Sequence, residues 1–167
     1  MTVPTLHPAV VDALADSRRR VALAVLQDRA GGVPVADLAA RVASREAALR
    51  TGTAAAADPD PETVRATLRH DHLPRLAEAG GVVFDSDTDR VAAAAGSPFD
   101  REWVHRLLGA HPEPEYDPVL RALASQRRQF VLHAVFAADG PLSPSTLAAE
   151  VAAREGDGDP ATVPDPT

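Results

Sequence analysis

The feature of this 167-residue chain that most restricts its fold is an internal repeat. Residues 14–46 align without a gap with residues 123–155, which lie 109 positions later, and 13 of the 33 aligned pairs are identical. The identical pairs include two adjacent arginines near the start of each stretch and one glycine, Gly31 with Gly140. A shared bias toward alanine does not explain these matches. The repeat therefore predicts two copies of one supersecondary unit.

The first unit, which we call copy one (residues 8–96), has the spacing of helices followed by a small sheet. Asp60 followed by Pro61 is typical of a helix start. Aspartate caps free backbone N–H groups, and proline at the first helical position has no N–H that would need a hydrogen-bond partner. Pro74 lies inside this helix and should kink it. Two short apolar runs around a turn rich in Asp, Ser and Thr predict a hairpin. The predicted elements are helices over 8–15, 17–29 and 36–49, an edge strand over 33–35, a helix over 61–79 and a hairpin over 82–94.

The rest of the chain reads as a connecting segment, a second copy and a tail. Pro98 is expected to start a helix that reaches Ala110, with Phe99, Trp103 and Leu107 on one apolar stripe. Copy two (residues 117–155) repeats the first helices of copy one but has no counterpart of the later helix and hairpin. The predicted domains are the unit over 8–96, a connecting helix and linker over 97–116, copy two as two or three helices over 117–155 (three if its long helix breaks near Ser125), and a disordered tail over 156–167.

Together these elements predict a mainly α fold with a small β-hairpin. The order helix, helix, short strand, helix, helix, hairpin is that of a winged helix-turn-helix. The chain is therefore predicted to be a winged helix-turn-helix followed by a helical half-repeat.

The composition argues against several kinds of site. The chain contains no cysteine, which excludes disulfides, thiol nucleophiles and thiolate metal sites. His70 and His72 are two residues apart on a predicted helix and point in different directions, so we expect no metal site. No arrangement of nucleophile and base or of paired carboxylates indicates an enzyme, and no cofactor is expected. No apolar run could span a bilayer and no signal peptide is visible, which predicts a cytoplasmic protein away from the membrane.

The charged residues are unusual in kind. All 17 basic residues are arginine, 16 of the 24 acidic residues are aspartate, and the net charge is −7. This pattern is typical of proteins from halophilic archaea, and a GC-rich genome alone is the alternative explanation. In molar salt the Debye length is only about 3 Å, so the negative charge does not exclude DNA as a partner.

Two segments resemble a known family. The stretch "LADSRRRVALAVL" resembles the entry of the ArsR-like regulators, and "HLPRLAEAGGVVFD" resembles the end of their recognition helix and the start of their wing. With "ADLAARVASREAA", the chain most resembles a winged helix-turn-helix family of haloarchaea, mostly of unassigned function. The resemblance covers about residues 8–95 fully and 117–155 in part. The long loop before the recognition helix and the missing half of copy two depart from the family pattern.

The resemblance implies binding to double-stranded DNA, and transcription regulation, with the 61–79 helix in the major groove. The arginines of this helix are equally compatible with a solvated helix face. The residues implied to contact DNA are Arg65, Arg69, His70, His72 and Arg75 on the helix, and Arg90 on the wing.

A second hypothesis is a winged-helix scaffold that binds proteins instead of DNA. That scaffold would use the helix of Trp103 and copy two to bind its partner. For the DNA-binding hypothesis we expect a homodimer, because one chain has one reading helix and ArsR-like proteins usually bind paired half-sites. Phe99, Trp103 and Leu107 are the predicted interface residues. Copy two is expected to pack against the 98–110 helix, within the chain or across the dimer, because its apolar residues need a cover.

Overall fold

The computed structural model describes residues 7–49, 59–110 and 113–157. Most of the predicted loop over residues 50–60 lies outside this part of the chain. The predicted tail also lies outside it, except for residues 156 and 157, which continue the last helix. Helices account for most of the described residues, and a small antiparallel sheet accompanies them. The predicted fold class, mainly α with a small hairpin, is confirmed.

Copy one begins with three helices and a short strand, in the predicted order. Asp16 caps the second helix, because its carboxylate accepts the backbone N–H of Arg19 at 3.0 Å. Proline stands at the first turn of the first helix, where a missing N–H costs nothing. These elements are α1 (Pro8–Leu14), α2 (Ser17–Gln27), β1 (Val33–Pro34) and α3 (Val35–Leu49).

The second part of copy one is a helical rod followed by the predicted hairpin. Asp60 caps the rod by accepting the N–H of Thr63 at 3.0 Å, as its sequence position before a proline predicts. The rod contains a π-helical turn in its middle, which ends two residues before Pro74. The elements are α4 (Pro61–Thr67), the π turn (Leu68–His72), α5 (Leu73–Glu78), β2 (Val82–Asp85) and β3 (Arg90–Ala93).

The three strands form one antiparallel sheet in the order β1–β3–β2. Val91 of the central strand lies between Val33 on one side and Phe84 on the other. Pro34 is tolerated because its strand lies at the edge of the sheet, where a missing donor breaks no ladder. The predicted edge strand and hairpin are both confirmed.

The hydrophobic core belongs to copy one and to the helix that follows it. Leu14, Leu23, Leu38 and Leu68 are completely buried and bring α1, α2, α3 and the rod together. The connecting helix α6 (Glu102–Ala110) joins the same core and packs against α2. The described core therefore extends past residue 96, where the sequence predicted a domain boundary.

The connecting helix begins later than predicted, at Glu102 rather than Pro98. Ser97 and Asp100 hold the intervening residues in a turn. Ser97 donates its hydroxyl to the carbonyl of Gly80 at 2.8 Å, and Asp100 accepts the N–H of Ser97 at 2.9 Å. Such side chain–backbone bonds compete with helix formation. Phe99 consequently lies on a turn and does not share a helical stripe with Trp103.

Copy two forms three helices in the register that the repeat requires. Each begins 109 residues after its counterpart, and the predicted break near Ser125 is confirmed. Part of the predicted linker is already helical, because a 3-10 turn occupies Pro114–Tyr116. The helices are α7 (Asp117–Leu123), α8 (Gln126–Ala137) and α9 (Pro144–Asp157).

The two copies meet through equivalent helices, α1 and α7. Arg20 anchors this junction from a completely buried position. Its guanidinium pairs with Asp117 at 2.8 Å and donates to the carbonyls of Leu14 and Glu113. Copy two was predicted to pack against the 98–110 helix. Within the chain, the structure instead places copy two on α1, because the buried arginine reaches α7, while α6 completes the core of copy one. Packing of copy two on the 98–110 helix across a dimer stays a prediction.

Candidate nucleic-acid interface

The rod of α4, the π turn and α5 is the element that a winged helix would present to DNA. Val64, Leu68, Leu73 and Leu76 are buried and fix one face of the rod on the core. The N–H of Leu73 bonds to the carbonyl of Leu68, five residues earlier, as a π turn requires. The kink predicted from Pro74 thus takes the form of one widened turn, which rotates the second half of the rod relative to the first.

Arg65 and Arg69 lie one turn apart on this rod and converge on one carboxylate of the wing. Asp89 accepts a hydrogen bond from Arg65 at 3.1 Å and another from Arg69. Arg69 also donates to the carbonyl of Ser86 at 3.2 Å. Both guanidinium side chains keep about a third of their surface exposed, at 39% and 34%. The two predicted arginines are therefore brought together at the junction of helix and wing.

Asp89 itself sits in a conformation that sequence reasoning did not anticipate. Its φ is +51°, in the left-handed region that aspartate tolerates better than most residues. Its carbonyl accepts the N–H of Val35 at 2.9 Å. The tip of the hairpin is thus tied to α3 through the backbone and to the rod through the side chain. The only sequence signal for this role is an aspartate in a turn, which is too common to single out.

The other predicted cations are separated from this pair. Arg75 is exposed and donates to Asp71, four residues earlier, at 2.9 Å. Arg90 stands beside Asp89 in the sequence, and its guanidinium donates to the carbonyl of Gly32. These contacts hold Arg75 along the rod and Arg90 against the edge strand.

The two histidines of the rod have different environments. His70 is exposed, whereas His72 is buried with only 8% of its surface accessible, and so it cannot reach DNA as the resemblance implied. Burial lowers the pKa of His72, opposed by Asp16 and Asp71, whose carboxylates lie 3.6 and 3.5 Å from its Nδ1. His72 thus joins the rod to the start of α2 as a neutral side chain.

The wing carries negative charge. Asp85, Asp87 and Asp89 fall within five residues of its turn. The pKa of Asp85 is lowered by the hydroxyl of Thr88 and by the backbone N–H groups of Thr88 and Asp87. These carboxylates make the tip of the wing acidic, although Asp89 is paired with Arg65 and Arg69 and the neighbouring Arg90 is exposed.

Arg18 holds the rod in place, a role that the sequence analysis did not assign. It binds both oxygens of Glu46 at 2.7 and 2.8 Å and donates to the hydroxyl of Thr67 at 2.9 Å. One guanidinium therefore joins α2, α3 and the end of α4. Hydrogen bonding to Glu46 raises the pKa of Arg18. The internal repeat could have identified this pair, because Arg18 and Glu46 both recur in copy two.

The predicted interface residues lie at different depths. Phe99 is completely buried in the core of copy one and is not accessible to a partner. Trp103 and Leu107 are half-buried and pack against the same core. The structure therefore gives Phe99 a structural role, and an interface role for the other two stays a prediction.

The described residues contain no group of three histidine, aspartate or glutamate side chains placed to hold a metal ion. Across the same residues, no helix is long and apolar enough to cross a membrane.

One family model matches the chain, over residues 11–92, and is described as a domain of unknown function, DUF7344. The matched stretch runs from α1 into β3 and covers the rod and the wing turn. No curated protein and no solved structure matches the chain significantly.

Proposed function

We propose that the chain binds double-stranded DNA and that the first half of the rod is its reading element. The observation that carries this proposal is the convergence of Arg65 and Arg69 at the junction of rod and wing, with partly exposed guanidinium groups. A winged helix places the corresponding helix in the major groove, and this step is an analogy from the fold. Arginine forks suit such a position because they bind guanine edges or phosphates through two parallel hydrogen bonds.

The carboxylate of Asp89 decides how strongly this surface can bind. It occupies both arginines in the free chain, in the way that a phosphate would in a complex. DNA must compete with this internal anion, so binding should be weak unless a cognate sequence adds base contacts. The acidic wing adds to this selectivity by repelling phosphates at non-specific sites.

Titration of labelled duplex DNA with Arg65→Ala and Arg69→Ala variants tests the proposal. Each substitution should weaken binding to a selected sequence by about 1–3 kcal/mol if the arginine reads a base. If it contacts phosphate instead, the slope of log K against log salt should fall by about one. Arg106→Ala is the matched control, since Arg106 is exposed and paired within α6. Unchanged affinity in both rod variants would contradict the proposal.

Replacing Asp89 tests the same surface in the opposite direction. Asp89→Asn keeps the shape of the side chain but removes the charge that neutralises two arginines. We expect several-fold tighter DNA binding with a steeper dependence on salt, because two guanidinium groups become available to phosphates. Equal or weaker binding by a folded Asp89→Asn protein would show that the two arginines hold the wing in place and do not bind DNA.

The specific form of this proposal is a transcription regulator of the ArsR-like, haloarchaeal type, acting in the cytoplasm as a homodimer. Its support is the sequence resemblance of residues 8–95 and the arginine- and aspartate-rich composition.

Binding to another protein is a second candidate, favoured by one observation in copy two. Val135 and Phe136 on α8 are 51% and 76% exposed, which is unusual for neighbouring large apolar residues. A protein-binding role needs no arginine at the rod. The rod variants described above therefore separate the two candidates.

A further inference from the structure

The outer face of α8 carries an apolar stripe, which we define as Leu132, Val135 and Phe136. Their exposed fractions are 40%, 51% and 76%. The spacing i, i+3, i+4 places all three on one side of the helix. Arg127 of α8 pairs with Glu155 of α9 at 2.7 Å, so an ion pair joins the helix that carries the stripe to its neighbour.

Two of the equivalent positions of copy one are buried, whereas those of the stripe are exposed. Leu132 and Val135 correspond to Leu23 and Leu26 of copy one, which are 0% and 1% exposed. In copy one, α6 and β3 pack on α2, and both leucines belong to the core. The described part of copy two contains no counterpart of α6 or β3. Two positions that are core in one copy are therefore surface in the other.

The third member of the stripe differs in kind from its counterpart in copy one. Phe136 corresponds to Gln27, whose amide donates to the carbonyl of Phe99 at 3.4 Å in copy one. A polar residue with a polar partner in copy one is thus replaced in copy two by the most exposed of the large apolar side chains that the structure describes. This apolar residue strengthens the stripe as a binding surface.

We propose that the stripe binds the stripe of a second copy of this chain, with the two α8 helices antiparallel. In an antiparallel pair, residues face each other when their numbers add to a constant. A two-fold axis between residues 133 and 134 places Leu132 against Val135 of the second copy, and Val135 against its Leu132. The same axis places Phe136 over the half-buried Val131.

Charge complementarity selects this partner and this direction. An antiparallel pair also places the start of one α8, which carries Arg128, beside the end of the other, where Asp139 follows the helix, and this happens twice by symmetry. Both residues are exposed. Arg128 stands at the start of α8 and Asp139 two residues beyond its end. A parallel pair would bring arginine against arginine and aligned helix dipoles against each other. The surface is therefore self-complementary, as an isologous interface requires.

Sedimentation of the full chain over a range of concentrations tests this inference. We expect reversible dimers, and Phe136→Asp should weaken the dimer about thirtyfold or more, as expected for an aromatic residue at the centre of an interface. Val83→Asp is the matched control, because Val83 is 63% exposed on β2. It should leave the dissociation constant unchanged.

A charge exchange tests the direction. Arg128→Asp and Asp139→Arg should each weaken the dimer, and the double variant should restore it, because both pairs are then complementary again. Circular dichroism checks that each variant is folded. A wild-type chain that stays monomeric to about 100 μM, or a dimer insensitive to Phe136→Asp, would overturn the proposal. If each single variant weakens the dimer and the double variant does not restore it, the antiparallel arrangement is overturned. The result is independent of DNA binding, which the arginine variants of the rod measure separately.

Discussion

Copy one and copy two make the same polar contacts at equivalent positions. Arg18 pairs with Glu46 at 2.7 Å, and its counterpart Arg127 pairs with Glu155 at 2.7 Å. Arg20 donates to the carbonyl of Leu14 at 2.7 Å, and the equivalent Gln129 donates to the carbonyl of Leu123, also at 2.7 Å. Arg19 and Arg128 likewise both reach the carbonyl six residues earlier.

The two copies differ in what covers their apolar residues. In copy one the rod, the sheet and α6 enclose the first three helices. In copy two only Leu120, Ala134 and Val151 are buried, and the core cluster does not extend to them. The comparison separates two properties of one motif: the hydrogen bonds are local to the three helices, whereas burial depends on elements outside them.

Arg20 and Gln129 should give the largest difference between the copies. Arg20→Met leaves Asp117 and two carbonyls unpaired at the buried junction, which should cost about 3–5 kcal/mol. Gln129→Met removes one half-buried hydrogen bond and should cost about 1 kcal/mol. Urea unfolding of both variants measures the difference. Equal costs would mean that Arg20 does not anchor the two copies.

Leucine at equivalent positions gives the second test. Leu23→Ala removes a completely buried side chain and should cost about 2–5 kcal/mol. Leu132→Ala, at a 40% exposed position, should change the stability of the dilute, monomeric chain by less than about 0.5 kcal/mol. Thermal or urea unfolding at low protein concentration separates the two. A comparable loss for Leu132→Ala would show that copy two has a closed core after all.

The smallest effect is a pH dependence that belongs to copy one. Burial lowers the pKa of His72 below that of a free histidine, so the unfolded chain takes up a proton more readily. The free energy of unfolding should therefore decrease as pH falls below about 6.5, and stop changing further once the folded histidine is also protonated. His72→Gln should flatten this part of the profile. Identical profiles for wild type and His72→Gln would contradict this assignment.

Local signals made much of the fold predictable. Asp16 and Asp60 each stand three residues before the N–H that they cap, so the helix starts could be read directly. The hairpin and the edge strand followed from short apolar runs and from Pro34. The break within copy two followed from alignment with copy one. These features depend on residues within a few positions of one another.

The rest depended on contacts between distant residues. Asp89 meets Arg65 and Arg69 across 24 and 20 positions, and no spacing rule identifies such a partner. His72 was assigned to DNA because helical position does not reveal that Asp16 and the core enclose it. Phe99 was placed on a helix because the bonds of Ser97 and Asp100 that prevent helix formation there were not recognised.

We propose that copy one binds DNA and that copy two does not. NMR of the full 17.5 kDa chain during titration with a short duplex tests it most directly. We expect the largest changes in backbone chemical shift on residues 61–70 of the rod and 85–90 of the wing, while α8 and α9 show only the uniform broadening of a larger complex. Largest changes in α8 and α9, or none anywhere at saturating DNA, would contradict it.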